Sequence, residues 1–304
     1  PNPVFKPRGA YHWFDGDGMI HAVYFRDGRA SYIRRWVRTR ALRDEIARGG
    51  PELSGIMGPY DLSRVAGRER DSQNPDYVKD TSNTTLNLHA GRLLSAWYNS
   101  GRVYRLDPLT LETDCEEDFG GALDTTLNAH GKVDPATGEY INYGYADFQP
   151  WLTYYVIGPD GKQRHRARIE MPGPRLPHDT TITPRYTILH DFPLFHDVDA
   201  LRRTSHRVVL FHRELPTRFG VMPRHGTQEQ VRWFEFEPGY VLHMVNAWED
   251  GDWIVMDGCF QPDPTIRRDP SEGPLGSMLA YLRYRGHLRR WRMNLRTGEK
   301  SEQQ

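Results

Sequence analysis

Asn128-Ala129-His130-Gly131-Lys132-Val133-Asp134-Pro135 sets a histidine just before a turn, and a long series of short strand-like segments follows it. Residues 139–146, 151–157 and 163–170 come first, with Pro159-Asp160-Gly161 turning the chain between the last two. Further segments of the same kind span 180–183, 186–189, 208–212, 230–236, 240–247, 253–259, 279–284 and 288–295. Upstream, 84–88, 93–98 and 103–106 repeat the pattern. Residues 20–25 and 30–37 flank Asp27-Gly28, a strong short-range hairpin signal. One clear helix is expected over 40–48, closed by Gly49-Gly50, and 50–82 reads as a polar surface excursion. Many short strands with turns at regular spacing mean a sandwich, a barrel or a propeller. Two flat sheets would struggle to absorb so many strands, whereas four-stranded blades arranged radially absorb them easily. An all-β propeller is therefore expected, although no clean sequence repeat is visible.

The composition narrows the function. Lysine plus arginine balances aspartate plus glutamate, 40 against 40, so nothing draws the 304-residue chain toward nucleic acid or an anionic membrane. Hydrophobic residues make up 38% of the chain and no apolar run approaches transmembrane length, as expected of a soluble protein. Aromatic residues reach 12%, which suits filled sheet surfaces or an apolar pocket. Cys115 and Cys259 are the only cysteines, too few for a disulfide framework or a Cys-rich zinc site. They fall in different expected blades, so no bond between them is expected, and a cytoplasmic setting is the default. The chain begins Pro1-Asn2-Pro3 and stops shortly after Arg296-Thr297-Gly298-Glu299-Lys300, a turn composition with no strand expected after it. Both ends read as cuts through a longer protein, which leaves the missing targeting signal uninformative.

Three of the thirteen histidines sit alone in or beside strand-like segments far apart in sequence: His130, His178 and His243. Imidazole is the commonest metal ligand, and ligands on separate strands can converge in a closed β-architecture. A histidine is more often a surface or hydrogen-bonded core residue, and the others read that way. His89 lies in a turn and should be solvated; His165, His206, His212, His225 and His287 neighbour arginines. His190 and His196 bracket a loop containing Pro193. Glu249 precedes Asp250-Gly251 and is expected to be a turn residue beside the site, not a ligand. Other chemistries lack their signatures: there is no phosphate loop before a helix, no Gly-x-Ser-x-Gly elbow and no His-Glu-x-x-His helix.

At these residues the chain resembles the carotenoid cleavage oxygenase family, which includes lignostilbene dioxygenases and the retinal pigment epithelial membrane protein. Trp13-Phe14-Asp15-Gly16-Asp17-Gly18-Met19 resembles its N-terminal signature. His89-Ala90-Gly91-Arg92-Leu93-Leu94 with Tyr104-Arg105-Leu106-Asp107-Pro108, and Arg218-Phe219-Gly220-Val221-Met222-Pro223-Arg224, are further matches. His130, Pro177-His178-Asp179, and His243 with Asn246-Ala247-Trp248-Glu249 resemble three iron-ligand motifs. The resemblance implies a single domain over 1–304, truncated at both ends: a seven-bladed β-propeller, incomplete here, under a dome of helices and loops. It implies Fe(2+) held by His130, His178 and His243, the family's fourth histidine lying beyond this chain, so that the fragment alone would be a poor catalyst. Neutral imidazoles suit Fe(II) and leave positions open for O₂.

The implied activity is cleavage of a conjugated C=C bond of a carotenoid or apocarotenoid into two carbonyls. The implied partners are an apolar polyene or stilbenoid and O₂, with peripheral membrane contact compatible with uptake of such a substrate. Stilbenoid cleavage and a metal-free propeller used as a binding module are the alternatives. One departure is local. The family often has a glutamate after its Leu-Leu-Ala-Leu strand, and stilbenoid-type members a lysine beside it. This chain has Trp97-Tyr98-Asn99, so Tyr98 or Asn99 must orient a ligand by hydrogen bonding instead, or the surroundings of the ligands are arranged differently. Trp97 and Tyr98 are the candidate substrate contacts, ordinary blade packing being the plain alternative for Trp97.

Overall fold

The structure, a computed structural model, describes residues 3–65, 77–98, 101–147, 149–267 and 269–304. Its first sheet is the expected hairpin. Strands β1 (Met19–Arg26) and β2 (Arg29–Trp36) pair through Asp27 and Gly28, both at positive φ (49° and 71°), as such a tight turn requires. Helix α1 (Arg40–Arg48) follows within the expected bounds. The Thr39 hydroxyl accepts the Leu42 N–H at its start, and Gly49 ends it in the left-handed conformation.

Four antiparallel sheets of four strands each then follow, mainly in chain order. The first holds β3 (Thr85–His89), β4 (Arg92–Ala96), β5 (Tyr104–Leu106) and β6 (Thr113–Glu116). The second holds β7 (Lys132–Val133), β8 (Tyr140–Tyr145), β9 (Leu152–Ile157) and β10 (Gln163–Arg168). The third begins with β11 (Thr181–Ile182) and β12 (Tyr186–Asp191). The chain then leaves it for a two-stranded ribbon, β13 (Leu194–His196) and β14 (Val209–Phe211), with helix α2 (Val198–Thr204) between them. It returns as β15 (Thr217–Pro223) and β16 (Arg232–Phe236). The fourth sheet holds β17 (Tyr240–Asp250), β18 (Trp253–Gln261), β19 (His287–Asn294) and β20 (Lys300–Gln303), with helix α3 (Gly276–Tyr281) between β18 and β19.

Every residue of β8 and β9 is buried. A strand buried on both faces is covered on both sides, and the apolar clusters show by what. Leu94 and Val103 of the first sheet's neighbourhood pack with Tyr140, Tyr155 and Ile157 of the second. Tyr143, Leu152 and Tyr154 pack with Leu189 and Met222 of the third. Phe219 and Phe234 of the third pack with Met256, Phe260 and Trp291 of the fourth. Sheets thus stack face to face in sequence order, as blades do. The mainly β architecture expected from the sequence holds.

Several segments differ from the sequence reading. Residues expected as a strand over 279–284 form the end of α3 and a turn, because a short apolar run does not distinguish helix from strand by periodicity. A strand, β20, does follow the Thr297-Gly298 turn; it is wholly exposed, so it carries no hydrophobic signal. Strand β15 was hidden by Gly220 and Pro223. A Cβ at Gly220 would lie 2.7 Å from Val231 and 2.9 Å from Trp233, so close packing requires the glycine. Cys115 and Cys259 are both free, as expected. Among the described residues no helix is long and apolar enough to cross a membrane.

Candidate metal centre

The three histidines singled out from the sequence stand at the first strands of three successive sheets. His130 lies two residues before β7, His178 three residues before β11, and His243 within β17. Their local structures differ. Asn128 is fully buried, and its Oδ1 accepts the His130 N–H at 2.8 Å, fixing the backbone that carries the ring. Gly131 follows because nothing larger fits: a Cβ there would lie 2.5 Å from the Tyr140 hydroxyl and 2.6 Å from Asn142 Nδ2. The Tyr143 hydroxyl bonds to the Pro177 carbonyl at 2.9 Å and also lies against that of Asp179, so both carbonyls flanking His178 are held. His243 sits where β17 slips register against β18 between Val241 and Met244, and a bulge re-aims a side chain in this way.

The result is convergence. One ring nitrogen from each of His130, His178 and His243 lies within 4.8 Å of the other two, and this is the metal-capable cluster found among the described residues. The Nε2 atoms of His130 and His178 face each other at 3.0 Å. Two nitrogens each about 2.1 Å from one ion, at roughly a right angle, would be separated by about this distance. The rings are also in the form that a cation needs. Burial pushes His130 down to about 4 and His178 to about 3, the neighbouring imidazoles lowering His178 further. Burial lowers His243 as well, although its residue is exposed on one side. All three are therefore neutral near pH 7, with lone pairs free to coordinate. The donor set, three neutral imidazoles on separate backbones, fits a divalent transition metal.

Of Trp97, Tyr98 and Asn99, Tyr98 stands beside the triad. The main-chain carbonyl of Tyr98 lies by the His178 ring and works to raise its pKa against burial, and the Tyr145 hydroxyl donates to the same carbonyl at 2.8 Å. Asn99 lies outside the described residues. The Tyr98 ring packs against His178, with centroids 5.9 Å apart, and against Phe14 at 5.5 Å. Phe14 touches His12, which touches Tyr281, so ring contacts run from the triad to α3. Trp97 is different. It has no exposed surface and packs with Tyr60, Tyr77, Val78 and Leu201, so it is core and offers no face to a substrate.

Glu249 is the penultimate residue of β17 and not a turn residue. It accepts from the Thr183 hydroxyl at 2.8 Å and the Arg185 N–H at 2.9 Å, tying the β11–β12 turn to β17 away from the rings. His89 is 4% exposed against an expectation of solvation, because its ring lies on Tyr140 and Phe119. His190, expected in a loop, is buried on β12, where Nε2 meets the Thr181 hydroxyl at 3.0 Å. Asp179 escaped the sequence reading. Burial works to raise its pKa, but the Lys132 ammonium 2.7 Å away and the Met244 N–H outweigh it, and the carboxyl is held below the usual carboxylate range. Arg224 reaches from the end of β15 to Asp134 at 2.5 Å, joining two of the motifs quoted from the sequence.

Comparison with known proteins bears on this geometry. A family model described as retinal pigment epithelial membrane protein matches residues 1–304. A carotenoid 9,10(9',10')-cleavage dioxygenase of Crocus sativus is 34% identical over 315 residues, covering 100% of this chain and 57% of that protein. The chain thus spans little more than half the length of that relative. Among solved structures, a variant of the Synechocystis apocarotenoid oxygenase superposes with a TM-score of 0.81 at 26% identity, covering 99% of this chain and 64% of that one. The same oxygenase has also been solved in a cobalt-substituted form. The lignostilbene dioxygenase of Pseudomonas brassicacearum gives a TM-score of 0.78 at 28% identity, covering 98% of this chain and 61% of that one.

Proposed function

The chain belongs to the retinal pigment epithelial membrane protein family, and from that premise we propose that it is the metal-bearing part of a non-haem Fe(II) dioxygenase that cleaves a conjugated C=C bond into two carbonyls. The observation that carries this reading is the convergence of His130, His178 and His243 as neutral imidazoles from three sheets. These three would hold the ion. Bound iron would supply the one-electron chemistry that lets O₂ react with a closed-shell alkene, which side chains do not provide.

The protein's own residues do the rest. The Tyr98 carbonyl, which accepts from the Tyr145 hydroxyl, stands by the His178 ring. The Tyr98 and Phe14 rings offer an apolar flank beside His178 on which a conjugated chain can lie. A long apolar polyene, a carotenoid or apocarotenoid, suits such a run of rings. The likeness to a lignostilbene dioxygenase supports a stilbenoid as the second reading.

The test supplies an apocarotenal and a hydroxystilbene in parallel to iron-loaded protein under oxygen and measures the aldehyde products. Aldehyde from the polyene supports the first reading; aldehyde from the stilbene alone supports the second. Protein that binds no iron and yields neither product would be a binding module.

A further inference from the structure

Asp179 stands next to His178, is 3% exposed, and gathers the neighbours of all three histidines. Its Oδ1 accepts from Lys132 Nζ at 2.7 Å, two residues past His130, and from the Thr180 N–H at 2.7 Å. Its Oδ2 accepts the N–H of Met244 at 2.8 Å, the residue after His243. Its main chain pairs with that of His130 in an isolated parallel bridge. One carboxylate therefore fastens three segments that come from three different sheets, each within two residues of a ligand ring.

We propose that Asp179 is the positioning residue of the triad: it sets the spacing of the His130, His178 and His243 segments and supplies the buried negative charge that offsets the ion they hold. The charge argument is independent of the hydrogen bonds. Three neutral imidazoles leave a divalent ion uncompensated, and the carboxylate beside them is itself buried, where interactions between charges are strong. Asp179 is a carboxylate whose field bears on all three rings. Lys132 shares that carboxylate and works against the ion. The two halves of the ion pair should therefore have opposite effects on metal affinity, which a purely structural clamp would not produce.

The inference rests on the triad being a metal site, and the experiment separates the two. Metal-free protein is titrated with cobalt(II), followed by calorimetry and by the visible absorption of the bound ion. If the wild type takes up no cobalt, the metal reading itself fails. With the wild type saturating at one equivalent, Asp179→Asn is expected to weaken binding about 10- to 100-fold and to alter the absorption band. Lys132→Met keeps the carboxylate and its bonds to Thr180 and Met244, and is expected to bind cobalt more tightly. Asp179→Asn binding as well as the wild type, or Lys132→Met losing affinity alongside it, overturns the inference while leaving the metal site standing. Should Asp179→Asn fail to fold by circular dichroism, the direction of the Lys132→Met change alone decides: tighter supports the proposal and weaker overturns it.

Discussion

Replacing Gly131 by alanine adds one methyl group beside a ligand, and the structure says what that methyl meets. A Cβ at this position lies 2.5 Å from both Cε2 and the hydroxyl of Tyr140 and 2.6 Å from Asn142 Nδ2. Both neighbours are buried, at 0% and 1% exposure, and cannot swing into solvent. They are also bonded: Asn142 Nδ2 donates to the Asn128 carbonyl and to the Tyr140 hydroxyl, each at 2.8 Å. Overpacking of this kind costs about 1–3 kcal/mol. Disturbing the Asn142 bonds adds about 1 kcal/mol. A total of roughly 2–4 kcal/mol corresponds to a fall in melting temperature of about 5–10 °C. The displacement also reaches the site, because Asn128 anchors the His130 backbone. Gly131→Ala should therefore weaken metal binding as well as stability. Gly50→Ala is the matched control, since a Cβ there meets nothing within 4 Å. Thermal unfolding of both variants, with and without metal, is the assay. A Gly131→Ala protein that melts with Gly50→Ala and binds metal normally would refute the reasoning.

Two further perturbations test buried charges elsewhere in the fold. Asp80 is buried with its oxygens on the N–H groups of Ser82 and Arg102, and burial pushes its carboxyl up to about 7. The native state then keeps a proton that the unfolded chain releases near pH 4, so this group's contribution to stability falls as pH rises from about 4 to 7. The melting temperature of Asp80→Asn should gain on that of the wild type between pH 5 and pH 8, and a constant difference would disprove the assignment. Lys79 is fully buried between Asp17 (2.9 Å) and Glu45 (2.8 Å), both enclosed. Lys79→Met should cost about 3–5 kcal/mol by stranding two carboxylates; adding Glu45→Gln should restore part of that, and chemical denaturation with no such recovery would count against the cluster.

What the sequence made legible were features with a local signature. The Asp27-Gly28 hairpin and the Thr39-to-Gly49 helix carry their own turn and cap residues, and both stand where they were expected. The triad was legible from strand placement together with the resemblance to the family's ligand motifs; placement alone does not single it out, since His21, His89, His165, His190 and His287 also lie in strands. What surrounds the triad was not. Tyr98 stands by His178 with its main-chain carbonyl, which every residue possesses, so no residue type could announce it. Asp179 works through the N–H of Met244, 65 positions away, a partner chosen by how the sheets stack. The burial of His89 has the same origin: its turn looks solvated until Tyr140 of the next sheet is laid against it. Trp97 next to Tyr98 shows the converse, two adjacent aromatic residues of which one is core and one packs on a ligand ring.

The metal centre can be tested most directly by reconstituting the protein with Fe(II) under anaerobic conditions, removing free ion and measuring bound iron in the wild type and in His130→Ala, His178→Ala and His243→Ala. The account predicts about one iron per wild-type chain and a large loss in each variant, with circular dichroism unchanged. Iron retained at wild-type stoichiometry in all three variants, or absent from the wild type, would contradict it.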